Sequence, residues 1–206
     1  FVGMHPVPIV YGMTIGEYSS MVNTEEGWLG TDKHPALSVV GLKNYNRDVS
    51  YSLPIRPSPN LPNDQSIALY TSLGLFEGTT INAGRGTEAQ FTRYGAPELS
   101  NKMSFSYTPE PNFGAKYPKH SGEICFGEDL AEINPPNSVD LNWLVKAYAN
   151  SSKKAQFFLT SGFTKHAGND RLQKQIEAGL SVAEIRKSWQ KDLNAFKAIR
   201  AKYLRY

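Results

Sequence analysis

The residues between Phe76 and Pro97 include the densest group of side chains able to bind a sugar or an anion. Glu77 precedes Gly78, and Arg85 lies between two glycines. A carboxylate can orient sugar hydroxyls or act as an acid or base, and a guanidinium can hold a carboxylate through two hydrogen bonds. Threonine hydroxyls occur in the same stretch at Thr79, Thr80, Thr87 and Thr92. This segment is therefore the first candidate for a binding or catalytic site.

Both charged side chains also have a structural interpretation. Glu77 could cap the following turn or pair with Arg85, and Arg85 could tie the loop to Glu77 or Glu88. Glycoside hydrolysis usually requires two carboxylates, or one carboxylate and a substrate acetamido group. No second acid is fixed relative to Glu77 by a helical or strand spacing. The residues alone leave catalysis, ligand binding and loop anchoring open.

Two further positions carry polar groups suited to a saccharide. Asn60 lies between two prolines in the string Ser58–Pro62, where its amide could meet sugar hydroxyls or form a plain turn. His120 follows Lys119 and could line a site or lie on a surface loop.

Several other chemistries are not indicated. The glycines lack the spacing of a phosphate loop or a dinucleotide fingerprint, and no Gly-x-Ser-x-Gly elbow is present. The four histidines are scattered without ligand-like spacing, so neither a metal nor another cofactor is predicted. The single cysteine, Cys125, is predicted to be a buried thiol that acts as a small hydrophobic side chain.

The elements that must position these residues divide into a turn-rich body, 1–137, and a helical tail, 138–206. All 13 prolines lie at or before Pro136. In the body, the sequence predicts a helix over 15–24 that begins with a Thr14–Glu17 capping box. It also predicts a loop over 52–63, helical turns over 67–72, and strands over 37–42, 73–77, 103–108 and 123–126. The tail predicts three helices, capped by Ser138, Asp170 and Ser181, the last running over 182–202. We expect one α+β domain with a mixed sheet packed against the C-terminal helices.

The tail is basic, with 13 Lys and Arg against 5 Asp and Glu in residues 139–206. Such a tail could meet nucleic acid or another anionic polymer. The simpler interpretation is the solvated face of the last helix, because its lysines alternate with apolar positions. No apolar run approaches the roughly 18 residues that a membrane span requires.

The chain resembles the C-terminal part of the exo-β-N-acetylmuramidase (NamZ-type) family of peptidoglycan hexosaminidases, formerly a domain of unknown function. The resemblance runs nearly from end to end. It rests on separated strings that occur in the family's order: Phe1–Pro6, Gly12–Glu17, Ser58–Pro62, Glu77–Thr79, Gly84–Thr87, Gly95–Pro97, Lys119–Cys125, Ile176–Gly179, Ser188–Gln190 and Tyr203–Tyr206.

The resemblance implies a cofactor-free glycosidase of two parts that releases N-acetylmuramic acid from the non-reducing end of peptidoglycan fragments. It implies a Rossmann-like N-terminal domain, which we expect to be absent from this chain, and an active cleft between the two parts. The start at Phe1, without an initiator methionine, favours a processed or excised segment. The family also implies a periplasmic or secreted protein with a role in cell wall recycling.

We therefore predict a substrate-completing domain that is inactive alone, with the main catalytic acid in the N-terminal domain and Glu77 as this chain's catalytic candidate. The predicted substrate-binding residues are Ser58, Asn60, Arg85, Thr87, Lys119 and His120. The alternatives are a non-catalytic peptidoglycan-binding module and a purely structural module.

Overall fold

The structure is a computed structural model that describes residues 4–100 and 102–206, so the start of the Phe1–Pro6 string lies outside the described residues. The helices are α1 (Ile15–Thr24), α2 (Asp64–Leu73), α3 (Asn142–Asn150), α4 (Lys154–Phe157), α5 (Thr160–Ala167), α6 (Arg171–Glu177), α7 (Val182–Ser188) and α8 (Gln190–Ala201). Short 3₁₀ helices cover Gly74–Gly78 and Pro97–Leu99. The strands are β1 (Arg93–Ala96), β2 (Phe105–Tyr107) and β3 (Cys125–Asp129).

The described residues form two compact units. Unit 1 contains residues 4–51 and 186–206, and unit 2 contains residues 52–185. The predicted α+β class is confirmed, because helices accompany a small sheet. The predicted division at residue 137 stays a prediction about how the domain is organised.

Unit 1 is built around the first helix, whose start agrees with the predicted capping box. Thr14 Oγ1 accepts a hydrogen bond from Glu17 N at 3.4 Å, and Glu17 Oε2 accepts one from Thr14 N at 2.7 Å. These bonds satisfy two amides that the first turn of a helix leaves without backbone partners. The predicted bounds of α1, 15–24, are confirmed.

The Glu17 carboxylate is fully buried and links three parts of unit 1. Arg47 Nη2 donates to both of its oxygens, at 2.7 and 3.0 Å, and the backbone amide of Arg205 donates to Oε1 at 2.7 Å. Burial raises the pKa of Glu17, but the hydrogen bonds from the amides of Arg205 and Thr14 and from Arg47 outweigh it and lower this pKa to about 2. The carboxylate thus fixes the C-terminal residues against α1.

Unit 2 contains a three-stranded sheet in the order β1–β3–β2. Both pairings are antiparallel, with Gly95 opposite Gly127 in one and Phe105 opposite Gly127 in the other. The prediction of a mixed sheet is wrong. The strands are only three to five residues long, and none of the described connections between them is the helical crossover that a parallel pair requires.

Aromatic side chains fill the core of unit 2. The rings of Phe76 and Tyr94 stack with their centroids 4.8 Å apart, and both are almost completely buried. The ring of Phe163, in α5, packs edge-on against that of Phe158, with centroids 4.6 Å apart. A methyl group on Gly78 would lie 2.4 Å from Phe163 Cα, so only glycine allows the 3₁₀ helix to approach α5 this closely.

Two strands predicted from the sequence are wrong. Residues 73–77 continue α2 as a 3₁₀ helix, because Leu69, Leu73 and Phe76 recur at helical spacing and are all buried. Residues 37–42 form no strand, because none of the described strands lies beside them to pair with. The strands predicted over 103–108 and 123–126 do occur, as β2 and β3.

The tail contains more helices than predicted. Gly168 ends α5 in the left-handed conformation that glycine tolerates, and the helix predicted over 182–202 is interrupted at Trp189. The predicted side-chain caps at Ser138 and Asp170 are wrong, since α3 and α6 begin without a side-chain cap. The box at Ser181 is confirmed, because Glu184 Oε2 accepts from Ser181 N at 2.8 Å and Glu184 N donates to Ser181 Oγ at 3.3 Å.

The Glu17→Gln substitution should destabilise unit 1 by about 3 kcal/mol at pH 7, because it leaves Arg47 without its buried counter-charge. The lowered pKa gives the pH dependence: this stabilisation is complete above about pH 4.5 and is lost as the pH falls towards 2. Urea unfolding followed by tryptophan fluorescence in a Trp143→Phe background would report on unit 1 alone, because the two remaining tryptophans, Trp28 and Trp189, both belong to it.

The matched control is Glu26→Gln, which removes the same charge from an exposed position near the end of α1. It should change the free energy of unfolding by less than about 0.5 kcal/mol. Equal effects of the two substitutions, or a Glu17 effect that stays constant between pH 7 and pH 3, would contradict this account of the carboxylate.

Candidate functional site

The candidate site is organised by Lys119, whose ammonium group lies beside the end of the first 3₁₀ helix. Lys119 Nζ lies 2.8, 3.2, 2.6 and 3.2 Å from the carbonyl oxygens of Phe76, Glu77, Thr79 and Ile81. The last carbonyls of a helix often lack backbone partners, and an ammonium group can bind them. Phe76 O also accepts from the backbone amide of Thr79 at 2.9 Å. Lys119 therefore holds the backbone of residues 76–81 in one course.

The environment of Lys119 also affects its ionisation. Burial lowers the pKa of its ammonium group to about 8, against the opposing effect of the Glu77 carboxylate. At neutral pH the group is thus still protonated and can share its three N–H donors among the four carbonyl oxygens. Its contacts with backbone carbonyls anchor the 76–81 segment, and substrate binding by Lys119 stays a prediction.

Glu77 and Arg85 form an ion pair beside this anchor. Arg85 Nη1 lies 2.8 Å from Glu77 Oε2, and the two side chains remain 36% and 23% exposed. The pairing that the sequence left open therefore exists. Because both side chains reach solvent, the pair can exchange part of its contact for a ligand at low cost compared with a buried pair.

The loop that carries Arg85 has a tightly constrained backbone. Gly84 and Gly86, on either side of the arginine, both have positive φ angles, +75° and +85°. A methyl group on Gly86 would lie 2.7 Å from Pro118 Cβ, so the loop passes directly over the 118–120 segment. The Thr87 hydroxyl donates to Gly84 O at 2.7 Å, which closes the loop.

Asn82 is a residue of this site that sequence reasoning missed. Its Nδ2 donates to the carbonyl oxygens of Arg85 and Lys119, at 3.0 and 2.9 Å, and its Oδ1 accepts from the Tyr107 hydroxyl at 3.0 Å. The side chain is almost completely buried. One amide thus connects the arginine loop, the lysine segment and strand β2. The sequence signal for this residue was an asparagine between two apolar residues, Ile81 and Ala83, because an amide buried among them requires several hydrogen-bond partners.

His120 and Thr80 join the same two segments that Lys119 connects, residues 118–120 and residues 76–81. His120 Nε2 lies 2.8 Å from Thr80 O, and the residue adopts a positive φ of 59°. The hydroxyl of Thr80 donates to Glu98 Oε1 at 2.9 Å. His120 is thus fixed beside the Lys119 anchor and is part of the candidate site.

Ser58 and Asn60 lie on a neighbouring turn. Ser58 Oγ accepts a hydrogen bond from the backbone amide of Asn60 at 3.2 Å, which agrees with the interpretation of 58–62 as a plain turn. The side-chain amide of Asn60 donates from Nδ2 to Gly114 O at 2.8 Å. Asn112, two residues before Gly114, donates to Thr87 O at 3.2 Å. The 112–115 turn therefore connects these two residues to the arginine loop, although among the described residues no hydrogen bond joins them to the Glu77–Arg85 pair.

Two further groups bear on the chemistry. Cys125 is fully buried as predicted, and burial raises the pKa of its thiol to about 12, which makes it a poor nucleophile. Within residues 4–100 and 102–206, no group of three or more His, Cys, Asp or Glu side chains could hold a metal ion. None of the helices described in these ranges is long and apolar enough to cross a membrane.

Comparison with known families matches the whole chain to two adjacent models. Residues 68–206 match the model "Exo-beta-N-acetylmuramidase NamZ, C-terminal", and residues 1–65 match "Exo-beta-N-acetylmuramidase NamZ, N-terminal". The prediction that the N-terminal part lies outside this chain is therefore wrong for residues 1–65. Unit 1 combines residues from both matched regions.

Similar proteins are known from two bacteria. The peptidoglycan beta-N-acetylmuramidase NamZ of Bacillus subtilis (strain 168) is 34% identical over 100% of this chain and 53% of its own length. The crystal structure of a DUF1343 family protein from Bacteroides fragilis NCTC 9343 is 39% identical, with a TM-score of 0.92 over 98% of this chain and 57% of that one. A second DUF1343 family protein from the same strain shares the fold. It is 18% identical, with a TM-score of 0.68 over 97% of this chain and 58% of that one. The chain thus spans a little over half the length of these relatives.

The Lys119→Met substitution should lower the free energy of unfolding by about 3 kcal/mol, because several buried carbonyl oxygens lose their donor together. Urea unfolding followed by Trp143 fluorescence in a Trp28→Phe, Trp189→Phe background would measure the effect in unit 2. The matched control is Lys116→Met, which alters an exposed lysine three residues earlier. If both variants lose the same small amount, the carbonyl contacts of Lys119 do not hold this segment.

Proposed function

Because the chain belongs to the exo-beta-N-acetylmuramidase NamZ family, we propose that it forms the substrate-completing part of a peptidoglycan glycoside hydrolase. Its substrate is a peptidoglycan fragment, from whose non-reducing end N-acetylmuramic acid is released. Residues 1–65 are part of the N-terminal domain of this hydrolase, and the rest of that domain, which we propose to be Rossmann-like, completes the cleft and supplies the main catalytic acid. The corresponding location is the periplasm or the cell exterior, and the corresponding role is cell wall recycling.

The observation that carries this proposal is the partly exposed ion pair between Glu77, in the first 3₁₀ helix, and Arg85, on a rigid loop. N-acetylmuramic acid differs from N-acetylglucosamine by a lactyl ether, which bears a carboxylate. The guanidinium of Arg85 has five N–H donors on three nitrogens. One terminal nitrogen, Nη1, donates to Glu77 Oε2. The other terminal nitrogen can donate to the lactyl carboxylate, while Glu77 keeps the guanidinium oriented.

The surrounding residues support the same use of the loop. Fixed groups recognise a ligand better than mobile ones, because less side-chain entropy is lost on binding. Gly86 packs against Pro118, and Asn82 holds the carbonyl of Arg85. The arginine therefore stands on a preorganised backbone. Thr87, His120, Ser58 and Asn60 lie on the segments around it and are proposed to contact the sugar hydroxyls.

A structural module is the second candidate, and one observation favours it. The side chains of Glu77, Arg85, Thr87, Lys119 and His120 each have at least one hydrogen-bond partner within the chain. If these contacts are their whole function, the segment only buttresses the rest of the protein. A non-catalytic glycan-binding module is the intermediate case, in which the same groups bind sugar and no bond is cleaved.

Arg85→Gln should lower kcat/KM for a chromogenic N-acetylmuramide about 10- to 100-fold, because a charge-assisted hydrogen bond to the lactyl carboxylate is lost. The measurement uses the product of the full reading frame. The same substitution should change kcat/KM little for a substrate in which the lactyl carboxylate is methyl-esterified. A matching loss with both substrates would exclude carboxylate recognition by Arg85.

The control is Arg93→Gln, which breaks a comparable surface pair with Asp129 between strands β1 and β3. It should leave kcat/KM for the acidic substrate within about twofold of the wild type, because exposed pairs contribute little to stability. A general loss of activity in both arginine variants would indicate damage to the fold and would remove the support for a binding role.

Glu77→Gln separates catalysis from binding. If Glu77 takes part in proton transfer, kcat should fall by roughly 100-fold or more, with a smaller change in the affinity for the sugar. Equal losses in turnover and affinity favour a binding module. Unchanged values for both Glu77→Gln and Arg85→Gln favour a structural module. Kinetics and calorimetric titration with N-acetylmuramic acid give the two quantities.

The chain of residues 1–206 alone should not hydrolyse the chromogenic N-acetylmuramide, because in this proposal the main acid belongs to the part of the N-terminal domain that lies outside residues 1–206. The product of the full reading frame should hydrolyse it under the same conditions. Turnover by the isolated chain at a comparable rate would overturn the division of roles between the two parts.

A further inference from the structure

Two aromatic side chains project from the 112–118 segment into solvent. Phe113 is 84% exposed and Tyr117 is 94% exposed, although large aromatic residues normally bury most of their surface. They are four residues apart, so their Cα atoms are separated by at most about 14 Å. Each ring therefore offers both faces to a ligand.

The exposure of Phe113 does not result from a loose loop. Asn112 Oδ1 accepts hydrogen bonds from the amides of Gly114 and Ala115, at 3.1 and 2.9 Å. The backbones of Asn112 and Ala115 also bond to each other in both directions. Asn60 and Thr87 tie this turn to both neighbouring segments. A tightly fastened turn thus holds a phenyl ring away from the core.

Tyr117 is held in a similar way. It stands between Ala115 and Pro118, which are both buried, and Pro118 packs against Gly86 in the arginine loop. Lys119, two residues further on, reaches the carbonyl of Glu77. The segment that presents the two rings is therefore the same one that fixes the backbone of the Glu77–Arg85 pair.

The chemistry of this surface fits a saccharide. Aromatic rings pack against the apolar C–H faces of sugar rings through dispersion and burial of apolar area. Gly114, Ala115 and the exposed Lys116 lie between the two aromatic residues in the sequence, whereas surfaces that bind another protein are usually large apolar patches. The exposed Lys116 is the one charged residue of the 112–118 segment, and its positive charge complements saccharides that carry lactyl carboxylates.

We propose that Phe113 and Tyr117 form a stacking surface for the sugar rings that follow the terminal residue of a peptidoglycan-derived saccharide chain. The proposal rests on the proposed function, in which the terminal residue lies at Arg85. In this arrangement a longer chain gains affinity from the two rings, whereas a single sugar at the terminal position does not reach them.

The test compares chain lengths in the product of the full reading frame. In the Phe113→Ala, Tyr117→Ala double variant, KM for a peptide-free peptidoglycan tetrasaccharide should rise roughly tenfold with kcat unchanged. KM for the chromogenic N-acetylmuramide should stay within about twofold. The control is Tyr51→Ala, which removes an exposed tyrosine in unit 1 and should leave both KM values unchanged. An equal KM for the tetrasaccharide in the wild type and the double variant would overturn the proposal.

A binding measurement separates this proposal from the proposed function. Calorimetric titration uses a saccharide chain that ends in N-acetylglucosamine and is therefore not cleaved. The double variant should bind it roughly tenfold more weakly than the wild type, even if the wild type shows no turnover at all. Unchanged affinity together with a lowered melting temperature would show that the rings pack against the rest of the polypeptide, and would contradict a sugar-binding role.

Discussion

The candidate site depends on one partly buried cation that is surrounded by backbone carbonyls. Lys119 lies within hydrogen-bond distance of four carbonyl oxygens between Phe76 and Ile81. A carbonyl that is removed from water without a donor is costly, so the ammonium group and the turn after the 3₁₀ helix stabilise each other. The position of Glu77 on one side, and of the 112–118 segment on the other, follows from this contact.

Unit 1 uses a buried charge of the opposite sign for a comparable purpose. Glu17 caps α1 and receives donors from Arg47 and from the backbone of Arg205. These contacts join residues matched by the N-terminal family model to residues matched by the C-terminal one. In both units a single charged side chain connects segments that are distant in sequence, because each charge requires more partners than its own segment can supply.

Local patterns predicted local structure well in this chain. The boxes at Thr14 and Ser181 require only residues three positions apart, and both form. The course of residues 37–42 and 73–77 was predicted wrongly, because β-branched or apolar runs become strands only when a partner strand lies beside them. For the site, the sequence suggested the Glu77–Arg85 pair but not the anchoring function of Lys119 or the part played by Asn82. Those contacts join positions about 40 residues apart, and no sequence spacing encodes them.

The central claim is that the preorganised Arg85 recognises the carboxylate of the terminal sugar. The most direct measurement is a crystal structure of the full reading-frame product with a disaccharide that ends in N-acetylmuramic acid. The account predicts a lactyl carboxylate oxygen at about 2.7–2.9 Å from a terminal nitrogen of Arg85, with Lys119 still among its carbonyl oxygens. A sugar bound elsewhere, with the guanidinium contacting only Glu77, would contradict it.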